Sequence, residues 1–585
     1  MKKIKIIALL IITFSLQTSY SQKDKPNSGF IDAYNFSPKE NIFVHYNTSL
    51  LFAGEYIYYK VYCINATQNK LSKLSKVAYV ELIHEDTQRV FRHKINLKNG
   101  LGQGDFFIST SIPSGNYKLI AYTQWMKNGG KNYFFKDDIS IINPYLVDQK
   151  SILDTTNIST NYISEKYKNS NSSNYLELTT NGEKFEKRTK VTVSIKNLKE
   201  SGGYGNYSIS VRKLDTINSS LRITAKDYKK NYSTLGISKN KKDTEIYSPE
   251  INGGVISGNI INKSTNLPAQ GENVSISIPG EHFIFKTATT DENGNFNLSI
   301  KENHNKETGI IQVLGEDREN FSVEITETPS VDLSQLKFNS FKITPSIKEM
   351  VLERSIYNQI ENGYYAIKPD TIVSLAVQKP FYSEYNSTIY VLEDYAKFST
   401  VKDVFIEIVE DVWTTKNKNG DRVFYVSNLK DRNKNHPPII FIDGVIIQNH
   451  QYLLDYNENN IKEIIVLQGD VHFGTAIYQG AIIVKTINGD YKNHHSSDYL
   501  IEKKLFKPQP QKNYFQQSYH NSNTVSSRIP DFRNQLLWEP KIILKSSKEV
   551  ISFYTSDNSG EYEICLEGFT NSGLPISLKK IINVK

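Results

Sequence analysis

PPIIFIDGVIIQ, residues 437–448, followed by IKEIIVLQGDVHFGTAIYQGAIIVKT, residues 461–486, is the stretch on which the organisation of this chain turns. Two apolar runs flank Asp443-Gly444, and the path then passes Gly469, Gly474, Gly480 and Ala481 on its way to Thr486. Short branched apolar runs bounded by turn residues predict buried strands. Glycine reaches positive φ without a Cβ clash and lets backbones cross closely, so these glycines predict tight turns and crossings. Asp443 is placed to close its own turn through its side chain. Upstream, Ile347, Val351 and Ile360, with Met350 and Tyr357 nearby, form a helical stripe after Pro345. Thr400 to Asp403 is a capping-box-like start, and Val404, Phe405, Ile408, Val409 and Val412 mark one face of a second helix. A short helix is expected around Glu458 to Lys462. Residues 340–490 therefore read as a mixed α+β domain.

The surroundings read differently. A chain of 585 residues is too long for one core and predicts about four or five domains. Its 37 tyrosines against 3 tryptophans favour half-buried pleated surfaces, so the expected class is mainly β. The formal charge of +8 comes from 70 basic and 62 acidic residues spread along the chain. Nucleic-acid binders concentrate their basic residues, and the densest run here, 226–243, reads as a solvated loop, so no nucleic-acid partner is expected. Met1-Lys2-Lys3, the apolar run Ile6 to Leu16 and the small residues before Gln22 predict a secretory leader over residues 1–21. No later run of 18 apolar residues exists, so no transmembrane helix is expected. No cysteine sits at the expected cut, and Cys63 and Cys565 read as two buried free thiols.

One short pattern recurs: Gly, polar, aromatic, polar, aliphatic. It starts at Gly115, Gly205, Gly294 and Gly560, with spacings of 90, 89 and 266 residues. The first two spacings match one β-sandwich each and predict a tandem array. NIFVHYNT, the Ala53-Gly54-Glu55 turn and SGNYKLIAYT make residues 39–145 resemble a macroglobulin-type sandwich. Residues 172–248 read as a second sandwich. Gly258-Asn259-Ile260, Leu267-Pro268-Ala269 and Thr290 to Gly294 before Phe296 make residues 252–326 similar to a carboxypeptidase regulatory-like domain, a non-catalytic family. Residues 530–585 again look macroglobulin-like, after a polar linker at 491–529.

The order of elements in the opening stretch resembles the plug domain of TonB-dependent outer-membrane receptors. Ile442, Asp443 and Gly444 match the family's Ile-Asp-Gly turn; Ile461, Ile464, Val466 and Gly469 match its helix-to-strand unit. Lys462 stands where the family has Glu, and Phe473-Gly474 stands for Tyr-Gly. Gly480, Ile482 and Thr486 match the last strand. A receptor barrel needs roughly 200 residues in strands, and 99 residues follow Thr486 without repeated lipid-facing alternation. The resemblance thus implies a plug-like fold without a pore of its own.

No catalytic or cofactor chemistry is expected. Asp291, Asn293, Asn295 and Glu302 sit at EF-hand positions one, three, five and twelve, but Phe296 replaces the required glycine and the flanks are strands. His436, His450, His472, His494 and His495 lack ligand spacing. G-x-S-x-G, H-E-x-x-H and GxxxxGK[ST] are absent from the sequence. The expected function is that of a non-enzymatic envelope protein at the periplasmic face of the outer membrane. It would dock with or plug a separate outer-membrane β-barrel as a transport or secretion accessory. The alternative is a cell-surface binding or adhesion protein using its sandwiches.

Overall fold

The structure, a computed structural model, describes residues 37–153, 169–215, 217, 219–232, 247–280, 282–301, 306–327, 331–373, 379–417, 420–427, 436–474, 476–491, 497–519 and 529–585. The expected leader, Glu302, His494, His495 and residues 233–243 of the lysine-rich run lie outside the described residues. The chain is mainly β: nine sheets are present among the described residues, and all but three of their strand pairings are antiparallel. No helix among the described residues is long and apolar enough to cross a membrane.

In the first sandwich, Tyr56–Asn65 pairs with Glu40–Tyr46 on one side and Leu101–Phe107 on the other. A five-stranded sheet containing Gly115–Tyr122 and Phe135–Ile142 covers it. Phe43, Tyr59, Leu119 and Ile139 meet in the core between them.

The second sandwich departs from the expected boundaries. Residues 172–213 and 530–585 are not separate units but halves of one. Lys190–Asn197 pairs with Lys548–Tyr554, and Gly205–Lys213 lies between Gly560–Thr570 and Gln535–Leu544. Four of its eight strands come from beyond residue 530. The motif copies at Gly205 and Gly560 therefore open neighbouring strands of one sheet, so the repeat does not count tandem domains. Spacing along a chain is blind to a strand pair closed across an insertion.

The motif instead has a local cause. Tyr117, Tyr207 and Tyr562 each donate a hydroxyl hydrogen bond to the backbone carbonyl four residues earlier, on Pro113, Gly203 and Asn558, at 2.6, 2.8 and 2.6 Å. This is the tyrosine corner of antiparallel sandwiches. Its fourth copy has Phe296, buried in the third sandwich instead.

That third sandwich is also completed from afar. Gly254–Asn262 pairs with Asn295–Ile300 and Phe321–Thr326, and the facing sheet runs from Ile284–Thr289 through Asn273–Ile278 to Thr308–Leu314. Leu500–Lys504, from the expected linker, pairs with Thr308–Leu314. Lys512–Asn513 from the same stretch pairs with Thr371–Ile372. Residues 491–529 thus include structural strands, not only a connector.

The α+β unit is a five-stranded sheet in the order Ser387–Val391, Ile461–Phe473, Ala476–Thr486, Ile439–Ile442, Val445–Ile447. Thr400 caps helix Val401–Glu407, its hydroxyl accepting from the Asp403 backbone N–H. The helix expected around Glu458 is a single 3-10 turn, Glu458–Asn460, preceded by helix Gln451–Leu454. Helix Lys348–Gly363 packs on the first sandwich: Ile347, Met350 and Val351 join Leu50, Phe52 and Ile142. Its apolar stripe was legible; the partner of that stripe was not.

Candidate functional site

The opening stretch is buried on both faces. Ile440, Ile442, Ile464, Val466, Ile482 and Val484 share a cluster with Val404 and Phe405. The alternate residues Phe441, Ile465, Leu467, Ala481 and Ile483 pack with Phe285 of the third sandwich. Burial on both sides explains why these strands read as continuous apolar runs rather than alternating ones.

The same packing accounts for most of the glycines. A Cβ on Gly444, at φ +85°, would stand 2.3 Å from the Phe283 Cβ, and one on Gly474 would stand 2.5 Å from the Thr287 hydroxyl. On Gly480 it would meet the Leu467 carbonyl at 2.6 Å. Gly469 sits at a register shift of its strand, at φ +93°, with open space around it, so conformation alone selects glycine there. Asp443, at φ +50°, accepts from Thr486 N at 2.8 Å, Thr486 Oγ1 at 2.6 Å and Tyr491 N at 3.1 Å. These residues knot the unit and press it against its neighbour.

Other sequence candidates also have structural work. Asp291 accepts from the Asn293 and Asn295 backbone N–H groups and so closes its turn. His450 Nδ1 accepts from Phe424 N at 3.0 Å, and burial pushes its pKa down to about 4. Among the described residues no group of three or more His, Cys, Asp or Glu is placed to hold a metal. Cys63 and Cys565 are buried and free.

The candidate site lies elsewhere, where the two large sandwiches meet helix Lys348–Gly363. Glu55, at the end of the Ala53-Gly54-Glu55 turn, is its keystone. Arg354 of the helix donates from Nε to Glu55 Oε1 at 2.8 Å and from NH2 to Oε2 at 2.9 Å. Arg212 of the second sandwich donates to Oε2 at 2.8 Å, and Arg354 also binds Asp215. Burial alone would raise the Glu55 carboxyl; the two guanidiniums outweigh it and hold the pKa to about 2.

Beside this network opens a cleft of about 150 Å³. Four aromatic rings line up along it. Tyr365 stacks on Tyr56 at 6.0 Å and 15°, Tyr56 on Tyr58 at 5.6 Å and 17°, and Tyr58 on Trp538 at 6.1 Å and 22°. Tyr514 meets Tyr58 edge-on at 5.1 Å. Burial raises the Tyr58 phenol, and burial together with the nearby Tyr365 hydroxyl raises Tyr56, so both stay protonated at neutral pH. Strand alternation puts Tyr56 and Tyr58 on one face. The run YIYY by itself marks a strand and not a binding surface, because the rest of the cleft comes from residues some 300 and 480 positions away.

No protein-family model matches the sequence, and no curated protein matches it. Among solved structures, Salmonella alpha-2-macroglobulin reacted with methylamine is similar over 93% of this chain and 39% of that one, at 9% identity and a TM-score of 0.21. Escherichia coli alpha-2-macroglobulin activated by porcine elastase covers 93% of this chain and 44% of its own, at 9% identity and 0.24. The Escherichia coli adhesin FdeC covers 51% of this chain and 63% of its own, at 10% identity and 0.14. The chain spans about two fifths of the macroglobulin structures it matches.

Proposed function

We propose that this chain is an exported, non-catalytic binding protein whose interlocked β-sandwiches present the tyrosine-lined cleft to a ligand at the cell surface. The observation that carries this reading is the junction itself. Three separately built elements converge on one buried carboxylate, and the space left beside it is walled by stacked aromatic rings rather than filled. Clefts between packed units are where ligand sites concentrate.

The α+β unit serves here as a brace. Its sheet is covered on both faces, and Gly444 and Gly474 abut the third sandwich, so its faces are already committed within the chain. Docking to a separate outer-membrane barrel is the second reading. It rests on the strand Ser387–Val391, which among the described residues pairs on one side only and exposes Ile389.

Protease treatment of intact cells, followed by blotting for the chain, separates the two. Surface display predicts cleavage; full protection until the outer membrane is permeabilised would overturn it. Recovery of a barrel protein from detergent-solubilised membranes, lost on substituting Ile389 with lysine, would favour the second reading.

A further inference from the structure

We infer that the junction cleft takes a neutral sugar ring within a longer saccharide. The inference rests on the reading of the cleft as a binding place and adds the chemistry of its ligand. Size comes first: a cavity near 150 Å³ is of the order that holds a single six-membered ring. The rings from Tyr56 to Trp538 turn their faces to one another, so the face open to a ligand is that of Tyr365, 42% exposed at the outer end of the row and of the kind against which the C–H groups of a pyranose pack.

Charge then narrows the class. The ionic groups in and around the walls are paired: Glu361 with Lys368 at 2.6 Å, Arg533 with Asp531 at 2.6 Å, Glu55 with Arg212 and Arg354, and Asp370 with Lys512 at 3.8 Å, a lysine it shares with Asp105. A phosphate- or carboxylate-bearing ligand would have to break one of these pairs, at the cost of leaving a partly buried charge uncompensated.

Hydrogen bonding narrows it further. Trp538 Nε1 and Arg212 Nε belong to wall residues but are sealed beneath the surface, so neither is open to a ligand in the cleft. Asn358 and Asn362 direct their amide N–H groups inward, to Glu55 Oε1 at 3.4 Å and to the Gly54 carbonyl at 3.0 Å. Their amide oxygens are left as acceptors. Open acceptors without an open charge suit a neutral donor, and the hydroxyl is such a group.

A peptide strand fits less well. At the neighbouring sheet edge the Leu537 carbonyl accepts from Gln535 Nε2 at 2.6 Å, and the Leu536 carbonyl from Arg533 NH1 at 3.2 Å. Side chains of this chain already occupy the acceptors an added strand would use.

The test is calorimetric titration of the full exported chain with neutral gluco-, manno-, xylo- and galacto-oligosaccharides of four to six units. Uronic-acid oligosaccharides and a proline-rich peptide serve as comparison arms. Binding of at least one neutral series is expected, weakened about 2- to 12-fold by Tyr365→Ala and similarly by Tyr58→Phe. The thermal midpoint of both variants should match the parent. Failure of every neutral series, exclusive binding of the acidic series, or neutral binding untouched by both variants would overturn the inference. Peptide binding lost in the same variants would overturn the sugar while leaving the binding-protein reading standing; a surface-protected chain in the protease experiment would remove that reading instead.

Discussion

Replacing Arg354 with methionine should loosen the junction and flatten its response to acid. Methionine keeps an apolar stem against the Phe52 ring, over which the guanidinium carbon now sits at 4.1 Å. It removes two of the charge-assisted bonds to Glu55 and the contact to Asp215. Breaking one side of a buried ion pair costs about 3–5 kcal/mol. The Glu55 carboxyl lies at about 2 in the folded chain against an ordinary 4.5. At 1.36 kcal/mol per pKa step, that gap is worth about 3 kcal/mol. Because the folded value is depressed, this stability is fully present above pH 4.5 and is lost as pH falls towards 2. Hydrogen exchange of peptides from Lys348–Gly363, corrected for intrinsic rates, reads both effects. At pH 7 the variant should exchange roughly 150- to 5000-fold faster. Between pH 7 and pH 3 the parent should lose protection while the variant changes little. Equal protection at pH 7, or a parallel loss in acid, would refute the assignment of Glu55 as the keystone.

Removing residues 531–585 should unfold the second sandwich, since Gly205–Lys213 would lose both its neighbours; limited proteolysis that still yields a resistant 172–213 core would contradict this. Asp443→Ala strands two backbone N–H groups and the Thr486 hydroxyl, and should lower α+β unit stability by about 2–4 kcal/mol in urea titration. Gly480→Ala adds a clash with the Leu467 carbonyl to a left-handed backbone and should cost more than Gly469→Ala, about 2–4 against 1–2 kcal/mol; equal costs would mean conformation alone matters. Burial raises the Glu567 carboxyl to about 7, from 4.5. Its raised folded value means stability is greatest below pH 4.5 and declines as pH rises to about 7. Glu567→Gln should remove that decline from the thermal midpoint measured between pH 5 and 8.

Several features could be read without coordinates because they depend on neighbours in sequence. Short branched apolar runs bounded by turn residues declared strands, Thr400 with Asp403 declared a helix start, and Asp443-Gly444 declared a turn. The tyrosine corners were visible as a recurring pattern, though their four-residue hydrogen bond was not. Pairing was another matter. Backbone N–H and C=O groups are alike at every residue, so nothing in Gly205–Lys213 names Gln535–Leu544 as its partner, and nothing in Thr308–Leu314 names Leu500–Lys504. The cleft is a product of such long-range pairing: Tyr58, Arg354 and Trp538 meet only after strands separated by hundreds of residues have closed their sheets. Local chemistry thus specified the parts of this protein, while the ladder bonds and shared cores of the folded chain decided which parts touch, and with them the place where a ligand can sit.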